Sequence, residues 1–593
     1  MRREPKGSGR GVDRGTRGPG IQLRNLQFDV LTLWSNGEGN MKDRVQRKLS
    51  FDVAESQTPS MCENSMRENR EAREAPTADG GGGRSGKAEP KPDMHTTRES
   101  DGVVVPTKQA NNASQPVCDA AESVEGRTPT EGNAERPHPA PDAVPGKRRG
   151  MGLLGIRLAA RRDKSARFTS LLHHITPELL RASFFDLKKN AAPGVDGMTW
   201  WDYHQDLDSR LEDLHTRIQR GTYRAQPSKR QYILKADGRQ RPLGIASLED
   251  KIVQQAVGVI LELIYEEDFL GFSYGFRPRR GCHNALDALY VGMQRKKVNW
   301  VLDADIRGFF DAIDHTWMLR FLEHRIADPR ILRLIRQWLI SGVSEDGQWS
   351  RTTVGTPQGA VISPILANVF LHYVLDLWTD QWRRKEATGE IMIVRYADDF
   401  VIGFRYQRDA KRFLQELHSR MEKFGLTLHP EKTRLIEFGP FARENRQRRG
   451  EGKPETFDFL GFTHYCSRSH VGNFLVKRRS IKKRLRAALQ VVKEKLRKRM
   501  HLPISEQGQW LRSVMRGWLQ YHAVPFNRKA LETFHRRVAR MWRHVLRRRS
   551  QKGRQRWTWR RMYQLIERWL PRVQILHPHP SERLIVGPKV GAV

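Results

Sequence analysis

The sequence predicts an α+β fold: a mixed core of helices and antiparallel hairpins, a helical segment after it and a long disordered extension before it. Three observations carry this. Between about 166 and 470, helical apolar spacing alternates with short apolar runs closed by Gly-, Pro- and Asp-containing turns. From about 477 the chain becomes strongly basic but keeps Leu, Val and Trp at helical spacing. Before 166 it has no aromatic residue between Phe51 and Phe168, four glycines at 80–83 and the Pro-rich run "RPHPAPDAVPGK". Such a stretch cannot bury enough apolar surface to offset its ordering entropy. At 593 residues the chain exceeds one ordinary domain. The expected division is 1–165 as disordered basic extension, 166–470 as mixed core, 471–570 as helical region and 571–593 as tail.

The core elements follow in order. "PELLRASFFDLKKN" (177–190) has helical spacing, and "AAPGVDGMTW" (191–200) is a loop punctuated by Pro and Gly. "RQYILKADGRQRPLGI" (230–245) reads as a hairpin turning at Asp237-Gly238. Residues 249–268 and 318–340 read as helices. "NWVLDADIRGFFDAIDH" (299–315) opens as a strand and breaks into polar and aromatic residues. "KFGLTLHPEKTRLIEFG" (423–439) and "ETFDFLGFTHY" (455–465) read as short strands with turns.

The formal net charge is +38, from 105 Lys and Arg against 67 Asp and Glu. An excess of that size points to a polyanionic partner, nucleic acid foremost. It is concentrated: residues 477–500 hold twelve Lys or Arg and one acid, and 543–561 hold nine and none. One-sign runs repel within a helix unless a polyanion neutralises them. Lys482, Lys483, Arg484, Arg547, Arg548 and Arg549 are therefore candidate phosphate contacts, and Trp557 and Trp559 add stacking surface. The four cysteines are widely spaced and form no CxxC, which excludes a zinc ribbon or disulfide framework. There is no apolar leader and no run approaching the ~18 apolar residues of a membrane span, so an intracellular chain without a membrane partner is expected. The extension reads as a basic arm on RNA, as a flexible leader, or as sequence upstream of a start at Met61, Met66 or Met151.

The densest chemistry lies in "IMIVRYADDFVIGF" (391–404). Two adjacent acids, Asp398 and Asp399, stand between two strand-like runs where a tight turn would favour Asn-Gly or Asp-Gly. Adjacent carboxylates raise one another's pKa unless a cation neutralises them. A third acid, Asp305, ends another apolar run 93 residues earlier. Three carboxylates on neighbouring strand ends can hold two Mg2+ ions through hard oxygen ligands, the arrangement that catalyses in-line phosphoryl displacement.

Eight stretches in order resemble the bacterial group II intron-encoded reverse transcriptases and maturases: "AAPGVDGMTW" (191–200), "LKADGRQRPLGI" (234–245), "YGFRPRRGCHNAL" (274–286), "DADIRGFFDAIDH" (303–315), "GTPQGAVISPILANVFLHYVLD" (355–376), "RYADDFVIGF" (395–404), "GLTLHPEKTRL" (425–435) and "FDFLGF" (457–462). "SVMRGWLQYHAVPFN" (513–527) resembles the family's thumb, or X region. The resemblance implies a right-hand polymerase, with fingers and an antiparallel palm sheet in 166–470 and an all-α thumb and maturase region in 471–570. It implies Asp305, Asp398 and Asp399 as catalytic metal ligands, with the Ile306 carbonyl as a further one. It implies Lys235 and Arg241 on the incoming triphosphate, Phe310 beneath the sugar as the selector against a ribose 2′-hydroxyl, and Gln358 positioning nucleotide and template. Arg277 would meet the template or pair with an acid, and Lys432 would lie near primer or phosphates.

The implied activity is RNA-directed DNA polymerisation together with splicing assistance: binding intron RNA and copying it into DNA at the insertion target, in the bacterial cytoplasm and nucleoid. The implied partners are intron RNA, DNA target and primer, and dNTPs. Two other readings stay open: a splicing maturase whose polymerase is silent, and a retron, diversity-generating or defence-type reverse transcriptase. The thumb motif argues against the second. An RNA-copying RNA polymerase is disfavoured by Ala397 before the acids and by Phe310. The Asn and the cysteine pairs of an HNH endonuclease are missing after 570, so no endonuclease activity is expected.

Overall fold

The computed structural model of the chain describes residues 151–234, 240–345, 348–350, 354–356 and 359–583, without the side chains of Met151, Leu234, Arg241 and Arg583. Residues 1–150 of the expected extension, the Asp237-Gly238 turn, Lys235 and Gln358 lie outside the described residues.

Residues 151–162 correct the extension's boundary. They form a helix, Met151–Arg162 (α1), which packs on the helix Leu248–Tyr265 (α2). Ile156 and Ala160, one turn apart, are buried. The arginines around them hid this apolar pair in a composition reading. α2 starts at Ser247, whose hydroxyl accepts from the Asp250 amide. Ile252, Val253, Ala256, Val257, Ile260, Leu261 and Ile264 bury nearly every face of it, so it belongs at the centre of the core.

Strands β1 (Ser228–Leu234) and β2 (Gln240–Ile245) pair antiparallel, with Leu234 opposite Gln240, as the expected hairpin requires. Short strands β4 (Val343–Glu345) and β5 (Gln348–Ser350) extend this sheet in the order β2-β1-β4-β5. After the helix Cys282–Arg295 (α3), the expected helix over 318–340 is two, His315–Glu323 (α4) and Pro329–Ile340 (α5). Asp328 caps the second, accepting from the Arg330 amide, with Pro329 in the first turn where its missing N–H costs nothing.

The central sheet has the order β6-β7-β3-β8, built from β3 (Trp300–Asp305), β6 (Ile391–Tyr396), β7 (Asp399–Phe404) and β8 (Arg434–Glu437), every neighbouring pair antiparallel. Alternate residues serve different cores. Ile391, Ile393, Phe400 and Ile402 pack with Phe413 and Leu417 of the helix Gln407–Lys423 (α7), which follows the helix Ser363–Leu371 (α6) along the chain. Met392, Val394 and Val401 pack with Ala285 and Leu289 of α3. A sheet covered on both faces needs uninterrupted apolar strands, and that is why "IMIV" shows no alternation.

A third sheet, β11-β10-β9, comprises β9 (Phe457–Phe459), β10 (Phe462–Arg468) and β11 (Phe474–Ser480). The expected boundary at 470 falls inside its β10–β11 hairpin. The all-helical region starts at Lys482 instead, with helices Lys482–Lys498 (α8), Ile504–His522 (α9), Arg528–Arg547 (α10) and Trp559–Trp569 (α11). Trp510, Trp518 and Trp542 are buried at its centre. The described part of the tail packs back on the fold. The Leu576 and His577 amides donate to the Ala523 carbonyl, and the His577 ring stacks on His283 of α3 at 3.9 Å. Among the described residues no helix is long and apolar enough to cross a membrane.

Candidate active site

The register of the central sheet decides where the acids meet. β3 and β7 pair from Trp300 opposite Phe404 to Asp305 opposite Asp399. Directly opposed residues in an antiparallel pair have Cβ atoms roughly 4.5–5.5 Å apart, so Asp305 and Asp399 are close neighbours. β6 and β7 are joined by only Ala397 and Asp398, because Tyr396 already pairs with Asp399. All three acids therefore gather at one end of the sheet.

Asp399 reaches solvent at its strand end but is hemmed in by protein. Its carboxyl is pushed up to about 8, first by the loss of hydrating water and then by the charges of Asp398 and Asp305. Burial likewise lifts Asp303 to about 7, against the pull of Arg434 3.6 Å away. Lys432 closes the group by pairing its ammonium with the Asp305 carboxylate. The loop carrying it is stitched to β3, with the Arg307 amide donating to the Thr427 carbonyl and the His429 amide to the Asp305 carbonyl, both at 2.8 Å. Those bonds flank Ile306 and do not use its carbonyl. Asp303, Asp305, Asp399, Glu431, Lys432 and Arg434 line a cleft of about 330 Å³ here.

Among the described residues no three carboxylate, imidazole or thiolate groups already converge as an assembled metal site. Lys432 pairs its ammonium with Asp305 in the same group. The donor set still suits a hard divalent cation: carboxylate oxygens only, and mutually repelling. The lysine is the stand-in charge.

The other expected residues divide. Phe310 is half-buried beside the fully buried Phe309 at 5.4 Å, and its carbonyl accepts from the Thr356 amide. That bond brings the start of the "GTPQG" loop to the same end of β3. Arg241 stands on β2 opposite Ile233. Arg277 takes the second of its two expected roles, pairing with an acid, which corrects the template contact. It is buried, bidentate to Glu266 at 2.8 and 3.0 Å, and donates to the carbonyls of Leu270 and Ser273. A guanidinium committed in this way braces its loop and offers nothing to a template.

Lys482, Lys483 and Arg484 are exposed in the first turn of α8. Cations there oppose the helix dipole, a cost that an anionic partner would offset. Arg548 is exposed, Arg547 is partly buried, and Arg549 donates to the His501 carbonyl. Trp557 packs its ring against the helical core, which corrects its reading as a free stacking surface. Trp559 stays open, with the Arg543 guanidinium 4.6 Å above its ring.

Sequence reasoning missed the support beneath the turn. Arg395 and Asp376 are both fully buried and joined, and Asn368, Ser273 and Gly275 complete their surroundings. The available signal was an arginine inside an otherwise apolar strand.

A central antiparallel sheet with a carboxylate cluster at one strand end is the palm arrangement of nucleotide polymerases. Residues 233–464 match the family model described as reverse transcriptase (RNA-dependent DNA polymerase). The group II intron-encoded protein LtrA of Lactococcus lactis subsp. cremoris is 35% identical over 207 residues, 35% of this chain and 34% of that protein. Protein YkfC of Escherichia coli K12 is 32% identical over 309 residues, 46% of this chain and 81% of that protein. An uncharacterised 91 kDa protein in the cob intron of Schizosaccharomyces pombe is 31% identical, over 35% of this chain and 32% of that protein. The chain belongs to the reverse transcriptases of the group II intron-encoded kind. It spans about a third of the length of LtrA, the first of these relatives.

Proposed function

We propose that the chain is an RNA-directed DNA polymerase that binds the RNA of a group II intron, assists its splicing and copies it into DNA at an insertion target. The observation that carries this reading is the register that sets Asp305 opposite Asp399, with Asp398 in the two-residue turn beside them. Asp305, Asp398 and Asp399, with the Ile306 carbonyl, would hold two Mg2+ ions. Bound there, the pair would lower the pKa of a primer 3′-hydroxyl and neutralise charge on the leaving pyrophosphate.

The chain's own residues do the rest. Lys432, paired here with Asp305, would be left beside the cleft to meet phosphate if cations took its place. Phe310 presents its ring at the same strand end and crowds a ribose 2′-hydroxyl. Lys235, Arg241 and Gln358 bind the triphosphate and the base pair from the fingers. The exposed cations of α8 and Arg548 grip RNA through phosphates, and Trp559 adds a stacking face. The fingers and palm are residues 166 to about 480, and the thumb and maturase region runs from Lys482 to about 570. The "RGWLQYH" stretch in α9 favours the intron-encoded assignment over other reverse transcriptases.

Primer extension on an RNA template, with dNTPs against rNTPs, tests the polymerase. Asp398→Asn should lower dNTP incorporation by more than about 100-fold, beyond the ~10–100-fold typical of groups behind a metal ligand. Extension unchanged by that substitution would sink the assignment. The splicing role is read from self-splicing of the cognate intron at low Mg2+, which the protein should accelerate.

A further inference from the structure

The turn that carries Asp398 contains no glycine, yet Ala397 has φ +57°. A left-handed conformation is strained for alanine, so the surroundings must hold it. Two residues earlier, Arg395 has no solvent exposure. Its Nε donates to Asp376 Oδ1 at 2.6 Å and its Nη2 to Asp376 Oδ2 at 2.5 Å. Nη2 also reaches Ser273 Oγ at 2.7 Å, and Nη1 reaches Asn368 Oδ1 at 3.1 Å. The fifth bond, Nη1 to the Ala397 carbonyl at 3.0 Å, goes to the turn itself. A guanidinium has five N–H donors, and all five are used.

The partners come from three separate segments. Asn368 lies on the helix Ser363–Leu371, and its Nδ2 donates to the Gly275 carbonyl at 2.7 Å. Asp376 ends a π-helical turn, His372–Asp376, which continues that helix. Insertions of this kind re-aim side chains and recur at functional sites. Gly275 lies directly behind the turn, where a Cβ would stand 2.3 Å from the Ala397 nitrogen. The segment also pairs with β6 on either side of Arg395, through the Arg395 amide to Phe272 and the Tyr274 amide to Arg395, both at 2.9 Å.

A buried ion pair is weak as a source of stability, because desolvation offsets the attraction. It is strong as a source of geometry, since a bidentate guanidinium–carboxylate pair fixes distance and plane together. Resting on the polymerase reading above, we infer that Arg395 is a positioning residue for nucleotide transfer: held by Asp376, Asn368 and Ser273, it clamps the Ala397 carbonyl and so fixes the turn that aims Asp398 and Asp399 at Asp305. The π-helical turn delivers the Asp376 carboxylate to that clamp.

The test uses the full chain and three variants, Arg395→Lys, Asp376→Asn and the milder Ser273→Ala. Lysine keeps the charge but cannot span the five bonds. Arg395→Lys should lower kcat about 10–100-fold, the range for groups that orient metal ligands, with the KM for dNTP within about twofold of wild type. Mn2+ binding followed by electron paramagnetic resonance should weaken several-fold. Ser273→Ala should shift both readouts in the same direction by less, and RNA affinity should stay unchanged in all three.

A merely structural role predicts otherwise: activity would fall only with the folded fraction, and Mn2+ affinity per folded molecule would not move. That result, in Arg395→Lys or, where it and Asp376→Asn fail to fold, in Ser273→Ala, overturns the inference. Wild type that binds Mn2+ but copies no RNA overturns the polymerase reading alone, and the positioning claim is then decided on the Mn2+ titration.

Discussion

The turn at Ala397–Asp398 and the helix α10 are both charged segments resting on buried supports, and they are held by opposite means. In α10 the local rules agree with one another. Leu531, Phe534, Val538, Trp542 and Val545 recur at helical spacing and are buried, while Arg536, Arg537 and Arg540 face solvent. In the turn the local rules are broken. An alanine takes a left-handed φ, two acids adjoin, and an arginine is buried in a strand. Where a segment only has to pack, sequence pattern suffices. Where it must hold like charges together, distant residues supply what the pattern lacks.

The sharpest way to break this contrast is in the helical region. Trp542 is fully buried, and its Nε1 donates to Gln507 Oε1 at 3.0 Å. Trp542→Ala removes a large apolar group and leaves that amide oxygen without its donor, at a cost of about 3–5 kcal/mol. Thermal unfolding should show the loss, and RNA affinity should fall with it. Polymerisation per bound template should survive, because the palm sheet shares no core residue with Trp542. A Trp542→Ala protein with wild-type melting would mean that the bundle does not depend on its tryptophans.

The same division sets how much was legible. The central strands, the hairpin β1–β2 and the helices α2, α4 and α5 could be read because apolar period and turn residues determine them, whereas α3, α7 and β11 were not read. The three acids could be read because an acid ending an apolar run is conspicuous. Arg395 was visible as an anomaly, but its partners at 273, 368 and 376 are separated along the chain, and only the fold brings them together. Arg277 was left between template and acid for a related reason: a loop arginine looks free until Glu266, eleven residues back, closes on it. Helix α1 was missed because arginines dilute its average hydropathy while Ile156 and Ala160 still share a face. Trp557 was misplaced because a tryptophan in a basic run carries no mark of which way its ring turns.

A smaller effect sharpens the palm side. Phe310 is half-buried and rests on Phe309, so shortening it changes shape at the strand end without opening the core. Phe310→Val should reduce the preference for dNTPs over rNTPs by about tenfold, the scale of losing steric contact in an apolar pocket. The ratio of kcat/KM values measures it. Selectivity equal to wild type would take the ring out of sugar discrimination.

The smallest expected effect separates the two regions by pH. Asp399 keeps its proton in the folded chain up to about 8, against an ordinary 3.8. Between those values the folded state binds more protons than the unfolded one, so this group's stabilisation is present in acid and is lost as pH rises towards 8. His522, buried on α9 against Ser480 and Trp518, is pushed down to about 3 from an ordinary 6.5. Here the unfolded state binds the extra proton, so its stabilisation is present above 6.5 and is lost as pH falls towards 3. Melting followed without divalent ions should therefore decline at both ends, for different reasons. Asp399→Asn should remove its slope across the whole interval from 3.8 to about 8, and His522→Asn the opposing slope between about 3 and 6.5, so the decline above 6.5 should vanish in the first variant alone. Added Mg2+ should raise the wild-type melting temperature more at pH 8.5 than at pH 6, since the cation competes with the proton for the same carboxylate. An Mg2+ effect of equal size at both pH values, or one retained in Asp399→Asn, would show that the ion stabilises the chain somewhere other than the turn.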